Sequence, residues 1–433
     1  MMIIIISLIC NILFSPPGFR ALAQSTDEEP NTNDKPTVTD SNLTADLIFD
    51  GPGFPTSMTF IGADDILLLS KNDGQVLRIK DGHNLGPVLT VNASSKDEMG
   101  LLGIATSKNN SGSSAQHVFI FYTSCKSETE CNSLVYKYDW SQKEGKMTNP
   151  VLLLKLPGLP GPSHMGGKIA VGPDGFIYLT VGDMTPTDLF NKIEEYKTMA
   201  QNYEEGVKAD GRAGILRITQ DGKPVNGGII GKEYPANLYF AYGIKNSFGL
   251  GFDPITGHLW DTENGPKFGD EINLVQPGFN SGWSKIQGFW RVSETAEQME
   301  ELNSTNPSGL VLFSGKGKYF EPKLVWDKNI APTAIAFVNS SKLGPKYSND
   351  MFVGSVKDGK IFNFDMNGNR SDLLFPNSAK DRILSKDEET SATFAQGFGI
   401  VTDLQVGPYD GNLYVVAGDK ANKAAAIYRI VLK

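Results

Sequence analysis

The 433-residue chain has little cysteine, little histidine and a deficit of positive charge. It carries three Cys and four His, and 40 Lys and Arg stand against 49 Asp and Glu, a formal net charge of -9. An acidic field repels polyanions, so no nucleic-acid footprint is present. After the first fourteen residues no apolar run approaches the roughly 18 residues that cross a bilayer. Helical signal is confined to short pieces around Asp188 to Gln201 and Ser293 to Leu302, which read as insertions on one face. What is present excludes disorder and collagen: 40% of residues are hydrophobic, enough for a packed core. The 46 Gly and 24 Pro make the chain turn-rich, as in proteins of many short strands.

Residues 1–23 read as a secretory signal peptide. Met1 to Phe14 is an apolar run of the right length, and Ala21-Leu22-Ala23 is an A-x-A pattern cut before Gln24. No Lys or Arg precedes that run, which leaves an uncleaved N-terminal membrane anchor as the alternative. Residues 24–45 are Ser, Thr, Asp, Glu, Asn and Pro with hardly an apolar side chain, so they read as a flexible polar linker. Cys125 and Cys131 bracket a polar turn between strand-like runs, a spacing that suits a short disulfide loop in an oxidising compartment. A metal site would need further ligands, and none is near. Six Asn-x-Ser/Thr sequons, at Asn42, Asn92, Asn109, Asn303, Asn339 and Asn369, are compatible with an exported surface.

Beyond residue 45 one theme recurs: a small-residue strand, a Pro/Asp/Gly turn, then an apolar strand. It occurs at Met58 to Phe60 with Ile66 to Leu69, at Gly100 to Ala105 with Val118 to Tyr122, and at Lys168 to Val171 with Phe176 to Thr180. It returns at Phe248 to Phe252 with His258 to Trp260, at Thr333 to Phe337 with Met351 to Val353, and at Val401 to Leu404 with Asn412 to Val416. Turns such as Gly172-Pro-Asp-Gly175 favour tight reversals between antiparallel strands. The expected fold is therefore all-β: a six-bladed β-propeller of four-stranded antiparallel blades over residues 46–433. A pair of β-sandwiches would not explain a unit that recurs through the whole body.

A propeller gathers the entries of its first strands around one axis, so polar residues there converge on one pocket. His83 and His258 lie in turns and read as exposed, and His117 begins an apolar strand and reads as structural. His164 differs, because it sits in Gly158-Leu-Pro-Gly-Pro-Ser-His-Met-Gly-Gly-Lys168, a loop that lets the backbone approach a ligand directly before an inner strand. An imidazole titrates near neutrality and can serve as general base. Asp183, which closes the next strand, is placed to orient it, unless Gly182-Asp183 only ends a strand.

Ser163-His-Met-Gly-Gly-Lys-Ile-Ala-Val-Gly-Pro-Asp-Gly-Phe-Ile-Tyr-Leu-Thr-Val-Gly-Asp183, Tyr242-Gly-Ile-Lys-Asn-Ser-Phe-Gly-Leu-Gly-Phe-Asp253 and Thr262-Glu-Asn-Gly-Pro-Lys-Phe-Gly-Asp-Glu-Ile-Asn-Leu274 carry a family likeness. So do Glu98-Met-Gly-Leu-Leu-Gly-Ile-Ala105, Gly278-Phe-Asn-Ser-Gly-Trp283, Ile330-Ala-Pro332 and Phe352-Val-Gly-Ser-Val-Lys357. In this order they resemble the soluble quinoprotein glucose/sorbosone dehydrogenases, six-bladed propellers that use pyrroloquinoline quinone (PQQ) and Ca2+. The resemblance implies that His164 takes the proton of an aldose C1 hydroxyl while hydride passes to the quinone, with Asp183 holding the imidazole. It implies that Lys245 stabilises developing charge, and that the carbonyls of Gly265 and Pro266 hold the catalytic Ca2+. Glu271 falls at a side-chain ligand of a second, structural Ca2+, and Ser281 at a backbone ligand of the same ion. Glu98, Lys245, Asn246, Asn329, Lys357 and Thr402 fall at cofactor contacts. Partners implied are a sugar and an external electron acceptor, with the chain a monomer or homodimer.

Four positions depart from the family pattern. Lys245 replaces an Arg, Glu98 replaces a neutral Gln-type contact, and Ile400 and Thr402 stand where two Arg normally surround the quinone carboxylates. These departures motivate a second expectation: a calcium-containing propeller that binds a glycan, small ligand or protein without catalysis, as hedgehog-interacting relatives do. Retention of both His164 and Asp183 favours the enzyme.

Overall fold

The computed structural model describes residues 35–107, 116–159, 161–185, 196–293, 299–302, 307–375, 381–419 and 424–433. The expected signal peptide, the expected linker as far as residue 34, and the sequons Asn109 and Asn303 lie outside the described residues. The protein is all-β, a propeller-like arrangement of four-stranded antiparallel sheets. The first sheet runs Pro55–Gly62, Asp65–Ser70, Gln75–Lys80, His83–Thr90, and the second Leu101–Ser107, Gln116–Ser127, Glu130–Ser141, Lys146–Pro157. The third runs Gly166–Val171, Ile177–Val181, Gly214–Ile218, Tyr239–Tyr242, and the fourth Ser247–Phe252, Leu259–Glu263, Asp270–Val275, Leu324–Trp326. The fifth runs Pro332–Phe337, Met351–Ser355, Ile361–Met366, Thr393–Gln396. The last is Ile400–Val406, Leu413–Asp419 and Ala424–Leu432, completed by Leu43–Pro52 from the start of the chain. Each sequence repeat becomes the first two strands of a sheet. The first strand of every sheet lies against that of the next, and that of the last against that of the first.

Local chemistry explains the hairpins. In the Gly172 to Gly175 turn, Gly175 adopts φ 79°, and Gly172 N donates to Phe176 O at 2.8 Å. Between sheets the core is aromatic and aliphatic: Trp326 packs on Phe362 and Phe364 at centroid distances of 5.5 and 6.2 Å, linking the fourth and fifth sheets. At the hub a buried ion pair joins distant strands. Lys168 Nζ bonds Asp403 Oδ1, and Asp403 Oδ2 accepts from Ser57 Oγ at 2.6 Å and Met58 N at 3.0 Å. Three sheets are thus tied across the axis.

Several expectations are corrected. The linker was expected to continue to residue 45, yet Thr37–Val38 pairs with Thr393–Gln396 and Leu43–Pro52 with Ala424–Leu432. Leu43 and Phe49 are buried, so this stretch supplies apolar anchors and the ordered body starts before residue 46. In Ser293 to Leu302, expected helical, Met299–Glu301 is a strand paired with Trp290–Val292, and 294–298 lie outside the described residues. Of Asp188 to Gln201, the last three residues form a short 3-10 helix and 188–195 lie outside. A seven-residue α-helix, Lys386–Ala392, was not foreseen, although Ser385 and Glu388 form the reciprocal capping box that marks a helix start. Cys125 and Cys131 face each other across a hairpin and are bonded, with S–S 1.99 Å. Among the described residues no helix is long and apolar enough to cross a membrane.

Candidate active site

His164 and Asp183 meet at the entrance of the third sheet. His164 lies just before the strand Gly166–Val171, and Asp183 just after Ile177–Val181, its antiparallel partner. This closeness requires glycine: a Cβ on Gly182 would stand 2.0 Å from the His164 carbonyl oxygen. His164 itself has a left-handed backbone, φ 57°, a conformation a non-glycine residue holds only when its surroundings impose it. Its Nδ1 lies 2.8 Å from Asp183 Oδ1. The carboxylate also accepts from Thr185 N at 2.9 Å and, on Oδ2, from Trp283 Nε1 at 2.7 Å and Gln201 Nε2 at 3.4 Å.

Lys245 arrives from the loop before the fourth sheet and places Nζ 3.0 Å from His164 Nε2 and 5.7 Å from the Trp283 ring centroid. With Nδ1–H given to Asp183, Nε2 is the acceptor for that ammonium, the tautomer a general base needs. Burial would push Asp183 up, but the imidazole and ammonium beside it and the Thr185 amide hold it below the usual carboxylate range. Burial pushes Lys245 down, opposed by Asp183 and Glu98. A buried imidazole, carboxylate and ammonium in contact can orient a hydroxyl, take its proton and stabilise the charge that develops.

Glu98 and Asn246 complete this rim. Glu98 Oε2 accepts from Met165 N and Asn246 Nδ2, both at 3.1 Å, and Asn246 Oδ1 accepts from Gly166 N at 3.0 Å. On the next side, Asn329 Nδ2 donates to Gly265 O at 3.0 Å. Asp270 shapes this wall: it accepts from Gly265 N at 2.7 Å, Ile330 N at 2.6 Å and Ala331 N at 2.8 Å. Lys357 N donates to Ile330 O, which brings that residue to the same wall. Thr402 is not brought into the network, since its hydroxyl bonds Val416 O at 3.4 Å within its own sheet. His83 and His258 are exposed, and His117 pairs with Asp139 at 2.8 Å.

Glu271 and Ser281 are brought together one layer deeper. Ser281 Oγ lies 3.2 Å from Glu271 Oε2 and 2.6 Å from Glu263 Oε2, while Glu263 Oε1 accepts from Lys245 N at 2.7 Å. Glu263 and Glu271 are direct cross-strand neighbours, with Asp261 two residues along. Burial pushes both glutamates up, helped at Glu263 by repulsion from Glu271 and at Glu271 by repulsion from Asp270, and burial beside Glu271 pushes Asp261 up to about 8. Neither Asp261 oxygen has a hydrogen-bond partner. Sequence reasoning assigned no role to Trp283, Gln201, Asp270, Glu263 or Asp261. The first three approach the site only through side-chain geometry. Asp261 and Glu263 carried one signal, two carboxylates on one face of a short strand, Leu259–Glu263, that is buried throughout.

The residues present fit a polar, carbonyl-bearing ring and a hard cation. Beside His164 stand an ammonium, an amide and backbone N–H donors, and the carbonyls of Gly265 and Pro266 are oxygen donors of the kind Ca2+ takes. The orphaned Asp261 carboxylate and its two acidic neighbours form an oxygen-rich pocket in want of positive charge, although no group of three or more His, Cys, Asp or Glu among the described residues is already arranged around a metal position. The site offers no guanidinium where Ile400 and Thr402 stand.

Ring, imidazole–carboxylate pair and buried lysine together define a sugar-dehydrogenase-like hub of the propeller class. The sequence model of the glucose/sorbosone dehydrogenase family matches residues 53–429, and the chain belongs to that family. It is similar to aldose sugar dehydrogenase YliI of Escherichia coli, 22% identical over 88% of this chain and 92% of that protein. Quinoprotein glucose dehydrogenase B of Acinetobacter calcoaceticus is 28% identical over 57% of this chain and 54% of that one. Among solved structures, the soluble aldose sugar dehydrogenase from Escherichia coli in its apo form matches with TM-score 0.67 and 18% identity, covering 90% of this chain and 100% of the other.

Proposed function

We propose that this chain is a secreted, PQQ-dependent aldose dehydrogenase built on six blades, with residues 1–23 as its signal peptide, residues 24–34 as a tether and the remainder as the propeller. Six blades are supported by the contacts between the first strands of successive sheets, from Pro55–Gly62 round to Ile400–Val406 and back. One observation carries the activity: His164 sits between Asp183 at 2.8 Å and Lys245 at 3.0 Å, all three buried.

When bound, PQQ supplies the hydride acceptor and Ca2+ the polarisation of its carbonyl. Glu98, Asn246, Asn329 and Lys357 would hold the cofactor, and the Gly265 and Pro266 carbonyls the ion beside it. His164 Nε2 takes the proton of the sugar C1 hydroxyl, and Asp183 stabilises the resulting imidazolium and fixes its tautomer. Lys245 must turn from Nε2 toward the substrate oxygen, where an ammonium lacks the planar fork of Arg but still supplies charge. Glu271, Ser281 and their acidic neighbours take the structural Ca2+. The substrate is an aldose, oxidised at C1 to the lactone, with an external acceptor regenerating the cofactor, and the chain works as a monomer or homodimer.

The test is reconstitution of the purified protein with PQQ and Ca2+, followed by dye reduction with several aldoses. Turnover that needs PQQ supports the reading, and absence of both turnover and a quinone spectral shift defeats it. Uncharged Ile400 and Thr402 favour one competing reading, a calcium-containing propeller that binds a glycan, small ligand or protein without oxidising it. Sugar binding without PQQ binding would establish that alternative.

A further inference from the structure

We propose that Lys71 supplies the positive charge for a cofactor carboxylate at the mouth of the ring, in place of the guanidinium that Ile400 and Thr402 do not provide. This rests on the reading of the site as a PQQ site. PQQ is a tricarboxylate, and each carboxylate taken from water needs a cation or several N–H donors. The last sheet presents uncharged side chains there, so the charge must come from its neighbours in the ring.

The first sheet is one such neighbour, because its strand Pro55–Gly62 lies against Ile400–Val406. Lys71 follows its second strand, Asp65–Ser70, and is clamped at the same rim: Lys71 N donates to Phe54 O at 2.8 Å, and Leu101 N donates to Lys71 O at 3.1 Å. Its aliphatic stem crosses Gly100, where a Cβ would stand 2.5 Å from Lys71 Cγ. Glycine at that position therefore leaves the space the lysine stem occupies. The stem is half-buried and the ammonium is held by Asp97 O at 2.6 Å and Asn72 Oδ1 at 3.2 Å.

Both partners are neutral oxygens. Lys71 forms no ion pair with a carboxylate of the described residues, whereas Lys168 is tied to Asp403 and Lys245 to His164. Burial pulls Lys71 down to about 8, against the attraction of Glu98 and Asp97. Glu98 is the residue that contacts Met165 N and Asn246 Nδ2, so the ammonium shares an electrostatic environment with the His164 rim. A partly dehydrated ammonium held by neutral oxygens gains more from an incoming carboxylate than a fully hydrated surface lysine does. It also offsets the repulsion between Glu98 and an anionic ligand.

The experiment is a titration of the full chain with PQQ in Ca2+ buffer, read by quenching of tryptophan fluorescence. Parent protein, Lys71→Met and Lys71→Arg are compared. Met keeps the stem over Gly100 and removes the charge, and an unchanged melting temperature without PQQ verifies the fold. Lys71→Met is expected to weaken PQQ binding by about tenfold to a hundredfold. Lys71→Arg should remain within a fewfold of the parent, and adding Ile400→Arg to Lys71→Met should recover affinity. Parent and Lys71→Met binding PQQ equally would overturn this inference alone. A parent that does not bind PQQ would overturn the site reading and this inference with it.

Discussion

Replacing Trp283 by Phe tests whether the indole N–H holds the Asp183 carboxylate in place beside His164. The substitution removes a donor 2.7 Å from Asp183 Oδ2, while a ring remains near Lys245, whose Nζ lies 5.7 Å from the Trp283 centroid. A hydrogen bond to a charged group contributes about 1.5–3 kcal/mol. Asp183 keeps His164, the Thr185 amide at 2.9 Å and the longer Gln201 contact at 3.4 Å, so its charge is not orphaned and the lower figure applies. That corresponds to about a tenfold effect, since about 1.4 kcal/mol is a factor of ten. If Asp183 acts by aiming the imidazole, the loss falls on kcat with KM nearly unchanged, because the indole is given to the carboxylate rather than to substrate. Dye-coupled steady-state kinetics on the PQQ-loaded variant reads both constants, and thermal unfolding separates a folding defect from a catalytic one. A well-folded, loaded Trp283→Phe enzyme with parental kcat would refute the positioning role.

Lys168→Met strands the buried Asp403 carboxylate at the hub and should cost about 3–5 kcal/mol, read as a lowered denaturant midpoint; a loss below about 1 kcal/mol would show that Ser57 and the Met58 amide suffice. Millimolar Ca2+ should raise the melting temperature, by about 2–3 kcal/mol of added stability at a hundredfold excess over Kd, and Glu271→Gln should diminish that gain; equal melting with Ca2+ and with chelator would remove the structural-ion reading. PQQ affinity should fall as pH rises through about 8, where Lys71 loses its proton. The quinone carboxylates stay ionised throughout, so the sign is set by the ammonium and its neighbours Glu98 and Asp97, and an affinity flat from pH 7 to 9 would contradict it.

Much of the backbone architecture could be read from the sequence because each repeat carries its own turn chemistry. Gly172-Pro-Asp-Gly175 and Gly407-Pro-Tyr-Asp-Gly411 specify their reversals locally, and the flanking apolar runs specify strands. The His164–Asp183 pair was legible for a similar reason: both residues flank one hairpin, nineteen positions apart, and hairpin geometry brings its ends together. Trp283 stood inside a noted motif without a role, because its bond to Asp183 spans a hundred residues and depends on how the sheets pack. The pairing of Leu43–Pro52 with Ala424–Leu432 was hidden likewise. A polar stretch reads as a tether until its few apolar residues, Leu43 and Phe49, find the other end of the chain. At Thr402 the expectation followed alignment with a family position. The observed contact with Val416 depends on which way a short hydroxyl turns, and that is not encoded in spacing.

The same packing bears on why this hub suits catalysis better than passive binding. Asp183 is fully buried with several donors, Lys245 is buried against an imidazole, and Glu263 accepts the Lys245 amide while repelling Glu271 across the strand pair. Each removal of charge from water costs free energy that an apolar core of equal volume would not require. A ligand held by contacts alone has no use for an imidazole whose Nδ1 is fixed by a carboxylate and whose Nε2 is kept as an acceptor. A proton-taking step has use for both, since the imidazolium it creates is already paired. The Lys for Arg replacement fits the same logic with a different balance: a compact ammonium can reach Nε2 at 3.0 Å and then turn to a substrate oxygen. Lys245→Arg would accordingly trade that mobility for a fixed planar fork, so its effect should appear in kcat and its pH profile more than in PQQ affinity. Affinity lost instead of rate would place Lys245 with the cofactor rather than with the reacting hydroxyl.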